Sequence, residues 1–169
     1  MCSSDLLDQQ KGSFYILRTS WVYGEGNNFI RTILRLAKQR SELKVVSDQY
    51  GVPTNTNWLA RLSLQLINQK NVLSGIYHAV PSGRTSWFEL AHFSIECANN
   101  LGVEFKLDLN HLYSIPASDY PLPAKRPMNS CLSTKKLITA LPVSALMLEE
   151  GWKDQVKSYI QDLYQNKLI

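Results

Sequence analysis

The chain has no apolar run approaching the ~18–20 residues of a bilayer-spanning helix, which argues against a membrane partner. It also lacks a leader pattern. Met1-Cys2-Ser3-Ser4-Asp5-Leu6-Leu7-Asp8 has no basic stretch followed by an apolar core, so no signal peptide is expected. Cysteine is scarce and unpaired in spacing: Cys2, Cys97 and Cys131 are three and far apart, which excludes a legible metal or redox pair. Simple burial of Cys97 and Cys131 in a reducing cytoplasm is the reading that fits. His78, His92 and His111 show no metal-ligand spacing. Basic residues form no stripe either. The doublets Lys125-Arg126 and Lys135-Lys136 stand alone, which argues against nucleic acid.

What is present suits one globular domain. Hydrophobic residues at 44% and charged residues at 19% are ordinary proportions, and 169 residues suffice for a hydrophobic core. Lys and Arg number 18 against 14 Asp and Glu; the resulting +4 favours an anionic small ligand such as a nucleotide diphosphate. No repeat, low-complexity tract or linker divides the chain.

Phe14 to Tyr23 alternates, with Tyr15, Leu17, Thr19, Trp21 and Tyr23 on one face, and reads as a strand. Helical spacing over 28–40 predicts an amphipathic helix through Phe29, Ile30, Ile33, Leu34 and Ala37. Leu43 to Ser47 reads as a strand and residues 48–54 as an ordered loop. A helix is predicted over 55–68, with Trp58, Leu59, Leu62, Leu66 and Ile67 inward. Gly75 to Val80 reads as a strand. Ser86-Trp87-Phe88-Glu89 has the form of a capping box and opens a helix to about Asn99. Val103 to Leu107 predicts another strand. Residues 111–129, with Pro116, Pro121, Pro123 and Pro127, read as a long irregular loop. Ser133 or Thr134 can cap a short helix, and Trp152 to Tyr164 predicts a final amphipathic one.

Gly24-Glu25-Gly26-Asn27-Asn28-Phe29 starts like a dinucleotide fingerprint between a strand and a helix. The third glycine, which lets helix and strand pack closely, is replaced by Phe29. A turn with Asn27 or Asn28 as helix cap is the better reading.

Several ordered motifs carry a family resemblance. They are Leu17-Arg18-Thr19-Ser20-Trp21-Val22-Tyr23 with Asn27-Asn28-Phe29; Asp48-Gln49-Tyr50-Gly51-Val52-Pro53-Thr54; Gly75-Ile76-Tyr77-His78; Ser82-Gly83-Arg84-Thr85-Ser86-Trp87; and Tyr120-Pro121 through Arg126-Pro127-Met128-Asn129-Ser130-Cys131-Leu132. Together they resemble the sugar-nucleotide half of dTDP-4-dehydrorhamnose reductases, extended short-chain dehydrogenases/reductases. The resemblance implies an α/β fold: the last strands of a Rossmann-type sheet plus a small mixed α/β substrate domain. Residues 1–13 find no counterpart, and 14–169 read as the substrate-binding domain.

The family's reaction is NADPH-dependent reduction of dTDP-4-dehydro-6-deoxy-L-mannose to dTDP-L-rhamnose, for cell-surface polysaccharide. It uses a Tyr-x-x-x-Lys. The residues four positions after the eight tyrosines are Thr19, Asn27, Thr54, Pro81, Ala117, Ala124, Leu163 and Leu168, none of them lysine. No catalytic residue is therefore assigned in this chain. NADPH would serve the complete enzyme and is not expected to bind this chain alone, which reads as a fragment inactive by itself.

By resemblance Trp21 contacts the deoxysugar; on periodicity alone it is a core tryptophan of a buried strand. Thr19 and Ser20 beside it can line the nicotinamide side of the cleft. Arg126 is either a bidentate diphosphate ligand or an exposed arginine held before Pro127. Asn129 and Ser130 complete the loop or simply form its turn. Gln49 can reach the nucleotide, while Asp48 reads as a loop-shaping Asx residue.

Some members of the family bridge a dimer through magnesium with two glutamates. The matching positions here are Asn57 and Lys153, so no metal is predicted. The joint from Leu141 to Gly151 departs from the family pattern. Partners implied are a dTDP-deoxysugar and either a second copy or the missing N-terminal half. Two rival readings are a piece of another nucleotide-sugar reductase or epimerase, and a non-catalytic subunit pairing with a complete reductase. Epimerases usually carry asparagine where Trp21 stands, which argues against the first.

Overall fold

The backbone from Tyr15 to Tyr23 bends in its middle, and the rest of the architecture follows from that bend. The computed structural model describes residues 12–69, 71–120, 124, 126–141 and 150–169. In chain order the strands and α-helices are β1 (Tyr15–Arg18), β2 (Val22–Tyr23), α1 (Phe29–Gln39), β3 (Leu43–Val46), β4 (Tyr50–Gly51), β5 (Thr54–Asn55), α2 (Thr56–Ile67), β6 (Gly75–His78), β7 (Thr85–Ser86), α3 (Trp87–Asn100), β8 (Leu112–Ile115), α4 (Lys135–Ala140) and α5 (Trp152–Gln165). Short 3₁₀ turns at Leu109–His111 and Ala117–Asp119 flank β8.

β1 pairs in parallel with β6, β2 with β5, and β3 with β8; β4 pairs antiparallel with β7. Parallel neighbours need crossover connections, and the helices supply them. The single strand expected over 14–23 is therefore corrected. The chain changes partner between Arg18 and Val22, and Trp21 makes the turn at φ 46°.

Three of the long helices, α1, α2 and α3, start where a side chain satisfies the first amides. Asn28 Oδ1 accepts from Arg31 N at 3.1 Å. Asn55 Oδ1 accepts from Asn57 N at 2.8 Å. The capping box at Ser86 is complete: Ser86 Oγ accepts from Glu89 N at 3.1 Å and Glu89 Oε2 from Ser86 N at 2.8 Å. The short helix α4 begins after Thr134, whose side chain makes no capping bond.

Two apolar cores result. One joins α1, α3, α5 and β3 through Ile30, Leu34, Ala37, Val45, Ile95, Val156 and Ile160. The other packs α2 and α4 on β6 through Trp58, Leu62, Leu66, Tyr77, Leu137 and Leu141. Each fully buried aliphatic side chain contributes about 1.5–3 kcal/mol relative to exposure.

Three further expectations change. Val103 and Leu107 are buried and Glu104 and Lys106 exposed, so the alternation is real, but this stretch is not a strand. Its amides go to helix ends: Val103 N donates to Ala98 O at 3.1 Å and Leu107 N to Ala37 O at 3.0 Å. The strand lies instead in the region read as irregular, where Leu112–Ile115 extends alongside β3. Ile67 faces solvent, at 66% exposure, because Leu66 takes the inward position at the end of α2. The first eleven residues, the prolines at 121 and 123, Lys125 and the shifted joint at 142–149 lie outside the described residues.

Replacing Ser86 by alanine removes one half of the capping box. The expected loss is about 1 kcal/mol, read as a melting temperature lower by about 2–4 °C. Glu89→Gln, which keeps an acceptor at the box, is expected to lose less.

Candidate functional site

Tyr50, Gly51 and Val52 gather most of the residues singled out in the sequence. On one side Tyr50 faces Ser86 and Gly51 faces Thr85 across the β4–β7 pair. On the other, Tyr50 N donates to Met128 O at 2.9 Å and Ser130 N donates to Tyr50 O at 2.7 Å. The Asn129 stretch thus runs parallel along Tyr50. Ser20 completes the set: its hydroxyl donates to Val52 O at 3.0 Å and accepts from Val52 N at 3.3 Å. Trp21 O then accepts from Thr54 N at 3.2 Å.

Trp21 lies on this segment under strain. A bulky residue in the left-handed region carries about 1–3 kcal/mol of backbone cost. Its indole stacks on that of Trp87, with centroids 3.7 Å apart and planes 14° from parallel. Gly51 lies against the ring as well. A Cβ at Gly51 would stand on Trp21 Cε2 and 2.8 Å from Cδ2 and Cζ2. Such a stack contributes about 0.5–1.5 kcal/mol beyond burial, comparable with the strain. Neither residue was marked as a partner of Trp21 by sequence reasoning. The signals were there, a glycine inside the Asp48–Thr54 motif and a tryptophan just inside a capped helix, but nothing local couples them.

The other candidates are placed as follows. Thr19 is half-buried, and its hydroxyl oxygen is enclosed without a hydrogen-bond partner among the described residues. Gln49 is half-buried next to Tyr50. Asn129 is exposed, and its Oδ1 accepts from Cys131 N at 3.0 Å, a turn-forming bond that leaves the amide nitrogen free to donate. Asp48 shapes the loop, accepting from Ala117 N at 2.9 Å. Arg126 is exposed on the stretch leading to Asn129 and makes no ion pair among the described residues. A second arginine sits nearby: the Arg84 guanidinium lies 3.9 Å above the Tyr50 ring.

Two clefts open elsewhere. One of about 310 Å³ lies between α3 and the start of α5, lined by Arg84, Phe88, His92, Glu96, Trp152 and Lys153 among others. One of about 240 Å³ runs along α1 beside Leu168 and Ile169. Neither is lined by Trp21 or Arg126, although Arg84, which covers the Tyr50 ring, lines the first.

The Gly24–Gly26 turn departs from a dinucleotide fingerprint at Phe29, which stands where the third glycine would be. Its carbonyls are taken by the protein's own donors: Asn28 Nδ2 donates to Gly24 O at 2.8 Å, and so does Tyr159 Oη at 2.7 Å. A Cβ at Gly24 would meet the Thr56 side chain, so this glycine serves close packing. As expected, Asn28 caps α1. Among the described residues no three His, Cys, Asp or Glu side chains gather to hold a metal. Asn57 is exposed, and the Lys153 ammonium lies 5.4 Å from the Phe93 ring centre. Cys97 and Cys131 are both free and half-buried; burial pushes the Cys97 thiol up. No helix among the described residues is long and apolar enough to cross a membrane.

Comparison with known proteins gives a consistent picture. The family model for the RmlD substrate binding domain matches residues 5–165. A dTDP-4-dehydrorhamnose reductase of Escherichia coli K12 is 42% identical over 158 residues, which cover 91% of this chain and 51% of that protein. One from Salmonella typhimurium is 46% identical over 125 residues, covering 72% and 41%. Among solved structures, a Clostridium acetobutylicum dTDP-4-dehydrorhamnose reductase superposes with a TM-score of 0.75 at 36% identity, over 89% of this chain and 49% of that one. A Bacillus anthracis enzyme of the same name, in complex with NADP, gives 0.76 at 28% identity over 94% and 51%. The chain spans about half the length of the curated relatives it matches.

Next to the Gly24 turn, burial pushes the Tyr23 phenol well above its ordinary value, and the Asn55 side chain opposes this only in part. The unfolded chain ionises at the ordinary tyrosine value, so Tyr23's contribution is intact below about pH 10 and is lost as pH rises beyond it. Urea unfolding at about pH 8 and pH 11 is expected to show a smaller alkaline loss of stability in Tyr23→Phe than in the wild type.

Proposed function

Because the chain belongs to the dTDP-4-dehydrorhamnose reductase family, through its RmlD substrate binding domain, we propose that it supplies the sugar-nucleotide contacts of such a reductase. In this reading Trp21 offers the indole N–H and the uncovered rim of its ring to the deoxysugar. Arg126 grips the diphosphate with paired N–H donors. Asn129 and Gln49 add polar contacts toward the nucleotide. Thr19 and Ser20 border the side from which hydride arrives, and the enclosed Thr19 hydroxyl is a donor that a ligand can use.

One observation carries the reading. The Ser20-Trp21 pair and the Asn129 stretch come from distant parts of the chain, and both fasten to Tyr50–Val52. Packing alone does not require a strained, half-exposed tryptophan beside a polar loop. A second protein part would complete the site and bring NADPH, the tyrosine proton donor and its lysine. The reaction would be reduction of the 4-keto sugar to dTDP-L-rhamnose, in the cytoplasm.

A second reading concerns the partner. Leu64 and Ile67 on one face of α2, and Leu73 on the loop after it, are 63%, 66% and 80% exposed. Among the described residues β1 pairs only with β6, which leaves one edge without a neighbour. An edge and an apolar patch together favour docking of a cofactor-binding half or a complete reductase. Co-purification at fixed stoichiometry supports that pairing; a monodisperse chain that ignores a complete homologue argues against it.

The direct test is calorimetric. The chain is expected to bind dTDP-L-rhamnose and to leave NADPH unoxidised when given the 4-keto substrate. Trp21→Ala and Arg126→Ala are each expected to weaken binding about tenfold, equivalent to about 1.4 kcal/mol. Preference for UDP-sugars over dTDP-rhamnose, or turnover of NADPH by the pure chain, overturns the assignment.

A further inference from the structure

Trp21 is the residue on which the proposed sugar contact turns, and its conformation is not one that a tryptophan adopts unaided. At φ 46° it lies in the region where bulky side chains are outliers. Two backbone bonds hold the turn itself, from the Ser20 hydroxyl to Val52 and from Thr54 N to Trp21 O. Neither fixes the side chain. A half-exposed indole on a strained residue would sample several rotamers unless something confined it.

Trp87 and Gly51 do the confining. Trp87 presents a parallel ring at 3.7 Å. It is itself held: it is the first residue of α3, inside the Ser86–Glu89 capping box, and Phe29 tilts against it at 4.6 Å. Gly51 presents bare backbone, with no room for a Cβ beneath the Trp21 ring. The two parts of the clamp are one rigid unit, because Gly51 pairs with Thr85, two residues before Trp87 in the chain. The same unit holds the loop with Asn129 through Tyr50.

We infer that Trp87 and Gly51 are positioning residues: they lock the Trp21 indole into the single orientation in which it meets the sugar of the bound nucleotide. This rests on the reading of Trp21 as a sugar contact. Trp87 is not assigned a contact with the ligand; it acts through Trp21. Sugar recognition is thereby coupled to the capping of α3. The clamp makes the sugar part of the affinity depend on an aromatic ring at 87 and on the absence of a side chain at 51, while the affinity for the nucleotide alone depends on neither.

The test compares dTDP-L-rhamnose with dTDP by calorimetry, using the chain as it is, with Trp87→Leu, Trp87→Phe and Gly51→Ala. The wild type is expected to bind the sugar nucleotide more tightly than dTDP. Trp87→Leu and Gly51→Ala are expected to lose that increment, about tenfold, with dTDP affinity unchanged. Trp87→Phe keeps an aromatic face and is expected to recover most of it. Fluorine NMR of 5-fluorotryptophan-labelled protein reads the clamp directly: the Trp21 line, assigned by its loss in Trp21→Phe, is expected to shift and broaden in Trp87→Leu and in Gly51→Ala. If Trp87→Leu does not fold, Gly51→Ala and Trp87→Phe decide the matter, since Gly51→Ala leaves the helix cap intact.

A folded Gly51→Ala or Trp87→Leu that keeps the full sugar increment overturns the clamp and leaves the proposed function standing. Equal losses in Trp87→Phe and Trp87→Leu also overturn it, because an aromatic surface would then not be what matters. A wild type that binds dTDP but shows no sugar increment overturns the sugar contact itself, and the inference with it.

Discussion

Three stretches of the chain compete for the backbone of Tyr50, Gly51 and Val52, and each finds a place because the segment is extended and one of its residues has no side chain. The β7 strand takes one edge, the Met128–Ser130 stretch the other, and the Ser20 hydroxyl bonds to Val52. Gly51 leaves the space in which the Trp21 ring lies. A side chain at 51 would force the ring away. The change of strand partner, the strained tryptophan and the placement of the Asn129 loop are therefore one arrangement.

That arrangement separates the work of two glycine-containing loops that look alike in the sequence. Gly24 and Gly26 have the outline of a phosphate cradle, but their surroundings are self-satisfied by Asn28 and Tyr159, and Gly24 packs on Thr56. Gly51 belongs to no phosphate pattern, yet it permits the closest approach of an aromatic ring to backbone. What a glycine does is set by what comes near it.

Clefts lie beside α3 and along α1, and neither is lined by Trp21 or Arg126. Concavity usually marks a small-molecule site. A site shared by two parts of a longer protein is an exception, because each part alone shows only a wall. The chain spans about half the length of the curated relatives it matches, and among the described residues β1 has one free edge while Leu64, Ile67 and Leu73 are exposed.

The helices were legible because their periodicity and caps are local. Asn28, Asn55 and the Ser86–Glu89 box mark their starts within a few residues, and the apolar spacing names their buried faces. The family was legible from ordered motifs, which need no knowledge of contacts. The strands were less so. Alternation over 103–107 reflects burial without pairing, and alternation over 14–23 hides a change of partner, because a ladder depends on a neighbour that the segment itself does not specify. The site was legible only as a set of residues. That Ser20, Trp21 and Asn129 share one segment, that Trp87 stacks on Trp21, and that Gly51 makes room for it were decided by tertiary structure, since each of these contacts joins residues far apart in the chain and is set by packing geometry rather than by any local preference.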